Sequence, residues 1–449
     1  MEKEKQMLLI YTKRLTNRVG YTFNLIFKDV LSLPFRITVN SEEFRNYQGP
    51  KFSYNDNPLD NEVFVCAVSL LFETTIENQE IHINEHEGLP VFFETHHQRS
   101  LIRFDIFAGA FYLVSRYEEY LPYVRDPYGR FTHEGSLAYR SDFLHRPLVN
   151  EWAMLLEKKL GIHYPELEFP RRSFSFINTI DVDQVWLYKG KNILRQFLGS
   201  LRDLLRGKFK DLHTRYSVLL LKDPDPYNTF DYILRLQKKS GYKSIFFFLF
   251  APYGWKDRNV SVLSPSFRNQ IRECQDLASI GIHPSFASFE KPEQLTQEIS
   301  NLEEVTHIPI TKSRFHYLRM QLPNSYRSLL ENEIEEDYSM GYARECGFRS
   351  SVCSAHAFYD LEQDFETTLR IFPFCVMDSA LIYHMQKTPE QALQLIKQHI
   401  RSVYEVRGTF ISIWHNETLS NQKHYKDWRN VYEAMIDYIG ELQKNDTKS

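Results

Sequence analysis

The sequence predicts an α/β protein, with a smaller α/β unit over residues 1–170 followed by a distorted, TIM-like (β/α) barrel over 171–449. Three observations carry this expectation. After residue 170, short apolar runs alternate with helix-opening signals, the pattern of repeated β–α units around a parallel sheet or barrel. The stretch Glu166–Arg172, ELEFPRR, interrupts the pattern with a proline and charges just before a new apolar run, which places a boundary there. The chain beyond it, roughly 275 residues, is long enough for such a barrel.

In the first unit, Met7–Tyr11 reads as the opening strand and Asp105–Tyr120 as an aromatic-rich helix stopped before Pro122. Between them, His82, His86, His96 and His97 crowd with Glu85, Glu87 and Glu94, which invites a metal reading. IHINEHEGLPVFF reads better as two strands joined by a Glu-Gly-Leu-Pro turn, with the histidines on the wet face. In the second unit, strands are expected at Phe174–Ile180, Ser244–Phe250, just before His283, near Thr311–Tyr317, at Leu369–Phe374 and at Thr409–His415. Helices open at Ser264-Pro265 and Lys291-Pro292-Glu293, and a third at Thr388-Pro-Glu-Gln391, which combines a capping box with proline in the first helical position.

With 43% hydrophobic and 25% charged residues among 449, the chain buries a large core and is neither disordered nor fibrous. The net charge of −4 argues against a global positive field that would grip nucleic acid, so no nucleic-acid partner is expected. One segment departs from this balance: Leu187–Lys222 holds nine Lys/Arg against two Asp, a net of +7 that leaves −11 for the rest. Within it Ile193, Leu194, Phe197, Leu198, Leu201, Leu204 and Leu205 recur at helical spacing. A helix of this kind either covers the barrel with its basic face in water, the preferred reading, or makes peripheral contact with an anionic membrane surface.

The five cysteines are odd in number and form no CxxC pair, which suits reduced thiols and a cytoplasmic location. The start, MEKEKQMLLIYTKRL, offers only a short apolar MLLIY and does not read as a secretory signal. The longest apolar runs, such as Ile245–Phe250, are too short for a transmembrane segment. Aromatic residues make up 15%, mostly 34 Phe and 27 Tyr, an excess that suits either a Phe-rich core or ring-lined walls for sugars.

There is no GxSxG elbow, GxxxxGK[ST] loop, GxGxxG fingerprint or HExxH pair, which removes the serine hydrolase, nucleotide-binding and zincin readings in their usual forms. The positive signals lie at strand ends. FSFINTIDVDQVW delivers Asp181 and Asp183, two apart and so on one side of an extended segment, where one could serve as a metal ligand and the other as a base, or both could cap the following turn. ASIGIHPSFASF delivers His283. TKSRFHYLRM places Arg314 and His316 on one face and Tyr317 beside them. EEDYSMGYARECGFRSS carries Asp337, and TFISIWHNE ends on His415 after Trp414.

In this order the signals resemble the motifs of the polysaccharide deacetylase (NodB-homology) family, over Phe174 to about Leu442. The N-terminal part is similar to an uncharacterised α/β domain that precedes this barrel in some bacterial members, through SRYEEYL (Ser115–Leu121) and RPLVNEW (Arg146–Trp152). The resemblance implies a distorted (β/α) barrel holding a divalent metal, commonly zinc, that removes N- or O-acetyl groups from sugars. It implies Asp181 as general base, Asp183 and His283 as metal ligands and Arg314 as partner of the base. It also implies Tyr317 as backbone donor to the oxyanion, His415 as general acid and Asp337 as a further member of the catalytic set.

The sequence departs from the pattern at two places: Ala287 stands where the second metal histidine is usual, and His316 where a proline precedes the tyrosine. His316 is the nearby residue that can complete a set of Asp183, His283 and His316, since a catalytic zinc site wants three protein ligands and an open position; otherwise it only hydrogen-bonds in the pocket. The expected activity is a metal-dependent carbohydrate deacetylase acting on amide C–N bonds other than peptide bonds, with Trp186, Phe286 and Trp414 flanking the sugar. The same ligands suit zinc, cobalt or nickel. The alternative is a glycan-binding protein with a degenerate, non-catalytic pocket. A carboxylate near His415 is required to keep it charged, and Asp378 is the candidate.

Overall fold

The computed structural model describes residues 7–420 and 422–446; the outermost residues of both expected units, 1–6 and 447–449, and residue 421 lie outside the described residues. Four strands near the N-terminus, β1 (Leu8–Thr12), β2 (Phe35–Thr38), β3 (Lys51–Asn55) and β4 (Val63–Cys66), pair in parallel in the order β2-β1-β3-β4. β1 is buried along its whole length, which is why LLIYT shows no polar alternation. The histidine-rich segment forms an antiparallel hairpin of β5 (Asn84–His86) and β6 (Leu89–Val91). Its turn is tighter than expected: Glu87 and Gly88 both take positive φ, 51° and 78°, and Leu89 and Pro90 already belong to the strand.

The expected long helix over Asp105–Tyr120 is shorter and broken. It runs Ile106–Val114, capped by the Asp105 carboxylate on the N–H groups of Phe107 and Ala108, and a separate turn follows at Tyr117–Glu119. Arg116, between the two, adopts a left-handed conformation (φ 57°). The break swings Arg116 and Glu119 against Arg349, whose Nη2 lies 2.6 Å from Glu119 Oε2, while Arg116 Nε lies 2.8 Å from Glu119 Oε1, all of them buried. A single carboxylate thus ties the N-terminal segment to a loop more than two hundred residues away. Arg349→Ala leaves Glu119 with one cation fewer in a dry environment and is expected to cost about 3–5 kcal/mol of stability. A denaturant melt reads it, and a midpoint unchanged from wild type would contradict it.

The second sheet has nine strands: β7 (Ser175–Val182), β8 (Lys243–Phe248), β9 (Ser279–Ile282), β10 (Lys312–Ser313), β11 (Glu336–Asp337), β12 (His356–Asp360), β13 (Phe365–Ile371), β14 (Val376–Met377) and β15 (Thr409–His415). The order is β12-β13-β11-β10-β9-β8-β7-β15-β14; all neighbours are parallel except β12, which runs against β13. The helices between strands begin as the prolines dictate, at Pro265–Gln275, Pro292–Thr306 and Pro389–Glu405, the last with the full Thr388/Gln391 capping box. Phe246, Phe247 and Phe248 of β8 are all buried, so both faces of this strand are packed.

The basic insertion does not behave as the preferred reading expected. It forms two helices, Ile193–Leu205 and Phe209–Leu220, whose apolar stripes face outward: Ile193 is 88% and Leu205 78% exposed. Turned inward instead are Ser200, Asp203, Arg215 and Ser217, with Val218 the one buried apolar side chain of the two helices. The buried Asp203–Arg215 ion pair sets this orientation, because a charge pair withdrawn from water keeps its partners aimed at each other. Among the described residues, no helix is long and apolar enough to cross a membrane.

Candidate metal centre and active-site cavity

The parallel strands β15, β7, β8, β9 and β10 lie side by side, and their C-terminal ends deliver polar residues to one cavity of about 360 Å³. Asp181 is the penultimate residue of β7 and Asp183 the first beyond it, so alternation turns both to the same side. His415 ends β15 in register with Asp181. His283 follows β9, and Arg314 and His316 follow β10, whose Ser313 pairs with Ile282.

Asp183, His283 and His316 bring one ligand atom each to within 4.8 Å of one another. Asp183 Oδ1 lies 3.2 Å from His283 Nε2, and Oδ2 lies 3.4 Å from His316 Nε2. The far nitrogens of both rings are already engaged. His283 Nδ1 faces the carbonyl of Arg314, and His316 Nδ1 lies 2.9 Å from Asp257 Oδ1. A carbonyl and a carboxylate accept only, so each Nδ1 carries a proton and Nε2 is the ring atom turned toward Asp183. Asp183 Oδ1 is buried without a hydrogen-bond partner despite the nearby ring nitrogen. A carboxylate and two ring nitrogens thus converge on one point, a donor set that a divalent cation satisfies.

The electrostatics agree. Burial resists the charge on Asp183, but His316, His283 and His415 outweigh it and hold its carboxyl well below the usual range. Burial works against a charged His316, yet Asp183 and Asp257 push it up to about 9, so a proton takes up the Nε2 lone pair whenever no metal does. Asp257 is held low against its burial by His316 and by the Phe286 N–H.

Around this centre, Asp181 Oδ1 accepts from Arg314 Nη1 at 2.9 Å. Arg314 is itself pinned by Thr179 Oγ1 at 2.7 Å and by the Tyr338 carbonyl at 2.9 Å. His415 Nδ1 meets Asp378 Oδ1 at 2.7 Å, and its backbone N–H reaches Asp378 Oδ2 at 2.7 Å. Burial alone would lower the His415 pKa; Asp378, with Asp183 and Asp181 behind it, raises it well above that of ordinary imidazole. Tyr317 sits in the left-handed region (φ 59°), which swings its N–H off the regular hydrogen-bond pattern, and that N–H donates to none of the described acceptors.

Of the residues the sequence singled out, Asp181, Asp183, His283, His316, Tyr317 and His415 line the cavity, with Arg314 buried directly behind Asp181. Asp337 does not reach it. Its carboxylate accepts from Tyr326 Oη and from the N–H and Oγ of Ser339, and burial pushes it up to about 6. It holds the loop whose Tyr338 carbonyl anchors Arg314. Trp186 and Trp414 are likewise not in the lining. Trp414 alternates with His415 along β15 and so faces the opposite layer, edge-on to Tyr432 at 5.0 Å, and Trp186 is buried beneath Lys189. Phe286 borders the rim, edge-on to both Tyr128 and Tyr317 at 5.6 Å.

Sequence reasoning missed residues that come from far along the chain. Tyr128, in the turn Asp126–Gly129, and Arg130, just after it, line the cavity; Arg130 Nη1 donates to the Tyr317 carbonyl, and Lys256 Nζ donates to Tyr128 Oη at 3.0 Å. Nothing in DPYGR marks it as more than a turn. Glu417, two residues after His415, was within sight of its motif; burial and the Asp183 charge push it up to about 7. Asp257, the partner of His316, stands in a loop without a motif.

A family profile described as a family of unknown function, DUF7033, matches residues 8–165. No curated protein matches the sequence. The structure is similar to a protein of Mycobacterium smegmatis assigned as a polysaccharide deacetylase, 14% identical over 62% of this chain and 86% of the other, with a TM-score of 0.38. It is also similar to a polysaccharide deacetylase of Bacillus cereus, 10% identical over 62% and 89%, TM-score 0.32. A third neighbour, an allantoinase, is 11% identical over 61% and 89%, TM-score 0.39.

Proposed function

We propose that this chain is a metal-dependent hydrolase that removes acetyl groups from an N-acetylated, or O-acetylated, poly- or oligosaccharide. We read its nine-stranded sheet as a distorted (β/α) barrel over 171–449, with a smaller α/β domain over 1–170. The observation that carries the reading is the convergence of Asp183, His283 and His316, with both imidazoles oriented by outside partners so that their Nε2 atoms meet the carboxylate. These three residues would hold the metal, with zinc the best match to an N,N,O donor set. His316 facing Asp183 rather than turning away from it supports a hydrolase over a non-catalytic glycan-binding pocket.

When bound there, a divalent ion supplies Lewis acidity toward the acetyl carbonyl and acidifies water. The chain's own residues do the rest. Asp181, held in place by Arg314, takes the proton of the attacking water. The Tyr317 N–H donates to the oxygen on which negative charge develops. His415, kept charged by Asp378, protonates the departing amine or alcohol. Tyr317, Tyr128 and Phe286 offer ring faces at the rim against which a sugar can stack. The five free cysteines, four of them buried, suit our placement of the protein in the cytoplasm.

The test is metal content. Purified protein equilibrated with zinc is expected to hold one ion per chain by elemental analysis, and His316→Ala to lose it together with acetate release from N-acetylated oligosaccharides. Wild-type protein without a stoichiometric ion, or His316→Ala with metal undiminished, would falsify the ligand set.

A further inference from the structure

The insertion helices form a hairpin turned inside out. Between them lies a polar seam: Asp203 is buried against Arg215 and is 3.1 Å from Arg202 Nη2, and Arg215 also reaches Gln196 Oε1 at 3.1 Å and lies over the Tyr188 ring at 4.6 Å. Gly199 permits this seam, since a Cβ there would come within 2.8 Å of the Arg215 guanidinium. On the outside, twelve large apolar side chains within 193–221 are more than a third exposed, nearly half of the 25 such side chains among the described residues. A continuous apolar face of this kind is a surface to be covered.

The charge around it selects what covers it. Both aspartates of the segment are already paired with its own cations, Asp203 with Arg202 and Arg215, and Asp211 with Lys208. Arg206, Lys210 and Lys222 are exposed, with no ion-pair partner among the described residues. A second copy would set these cations against their own kind, whereas an anionic lipid surface matches both the apolar stripe and its basic flank. The face also continues onto the loop after β8, where Tyr253 and Trp255 are exposed, Trp255 at 79%, and Arg195 lies over the Tyr253 ring at 4.2 Å, joining helix to loop. Tyrosine and tryptophan are the side chains that favour the boundary between lipid and water.

We propose that the hairpin, together with Tyr253 and Trp255, docks this protein peripherally on an anionic membrane surface. The same loop carries Lys256, which holds Tyr128 at the cavity rim, and Asp257, which orients His316, so the docking face and the cavity share one segment. A glycan attached to the membrane surface is therefore the substrate class best presented to it; that corollary rests on the deacetylase reading, whereas the docking itself does not.

The test is flotation of the full chain with vesicles of equimolar phosphatidylcholine and phosphatidylglycerol, with phosphatidylcholine alone for comparison. The chain is expected to float with the mixed vesicles only and to be released by high salt. Phe197→Glu combined with Leu201→Glu is expected to abolish flotation at an unchanged thermal midpoint, because both side chains are exposed. Arg206→Gln, Lys210→Gln and Lys222→Gln together are expected to weaken binding about a hundredfold. Absence of flotation with mixed vesicles overturns the proposal, as does flotation indifferent to both sets of variants. So does a dimer in sedimentation that Phe197→Glu with Leu201→Glu splits, since a second copy then covers the face. Because flotation reads binding without turnover, its failure is distinguishable from failure of the metal test.

Discussion

Asp181→Asn is expected to keep the metal ion and to lose acetate release by about 10²–10⁴-fold, the usual worth of a positioned general base. The substitution preserves shape: an amide oxygen at the Oδ1 position can still accept from Arg314 Nη1, where the carboxylate now does at 2.9 Å. It removes the ability to take a proton. Metal binding is expected to persist because the three donor atoms belong to Asp183, His283 and His316, and Asp181 Oδ2 stands 4.0 Å from the nearest of the two rings. Parallel elemental analysis and an acetate assay on N-acetylated oligosaccharides separate the two effects, with Asp183→Asn as the control that loses both. Activity of Asp181→Asn within a few-fold of wild type would remove Asp181 from the mechanism. A modest loss of stability is expected as well, since Arg314 is fully buried and would face a neutral partner.

His415→Ala is expected to slow the reaction by a similar factor, about 10²–10⁴-fold for an amide, whose amine must leave protonated. An activated ester, whose leaving group departs without a proton, should lose far less, and equal losses on both would exclude a general-acid role. The pH profile carries a sign. The His415 pKa is raised above that of free imidazole, so the acid form prevails at neutral pH and is lost only as pH rises through the elevated value. Asp378 is the foremost cause of that elevation and also fixes the ring through Nδ1 and the backbone N–H. Asp378→Asn should therefore move the alkaline limb of the rate profile to lower pH. An alkaline limb that stays in place would assign it to another group.

What was legible in the sequence follows from how local each signal is. Proline and capping residues mark helix starts within a few positions, so the openings at Pro265, Pro292 and Pro389 were readable one by one. A strand end is marked by the change from apolar residues to Asp, His or Arg, which is why Asp181, Asp183, His283, Arg314, His316 and His415 could be picked out before any contact was known. The aromatic candidates fared worse, because proximity in sequence to a site residue does not fix which face of a strand a ring takes. Trp414 is adjacent to His415 and points the other way for that very reason. The helix over Asp105–Tyr120 was overextended because no local rule announces that Arg116 turns left-handed; what favours it is the buried carboxylate of Glu119 and the distant Arg349.

By itself the sequence determined the α/β class, the strand ends at which polar residues emerge, the absence of the common nucleophile and nucleotide motifs, and a concentrated basic insertion in an otherwise acidic chain. Only the tertiary structure decided what those residues meet. It brought His316 to Asp183 and supplied Asp257 to orient it, set Tyr128 and Arg130 at the rim, and placed Asp337 behind Arg314 rather than in the cavity. It also turned the insertion's apolar stripe outward, contrary to the reading in which the helix covers the barrel. The reason is common to all four: periodicity records which residues share a face, whereas the direction a face takes is set by partners far along the chain, here a buried ion pair whose two charges cannot be separated cheaply from each other.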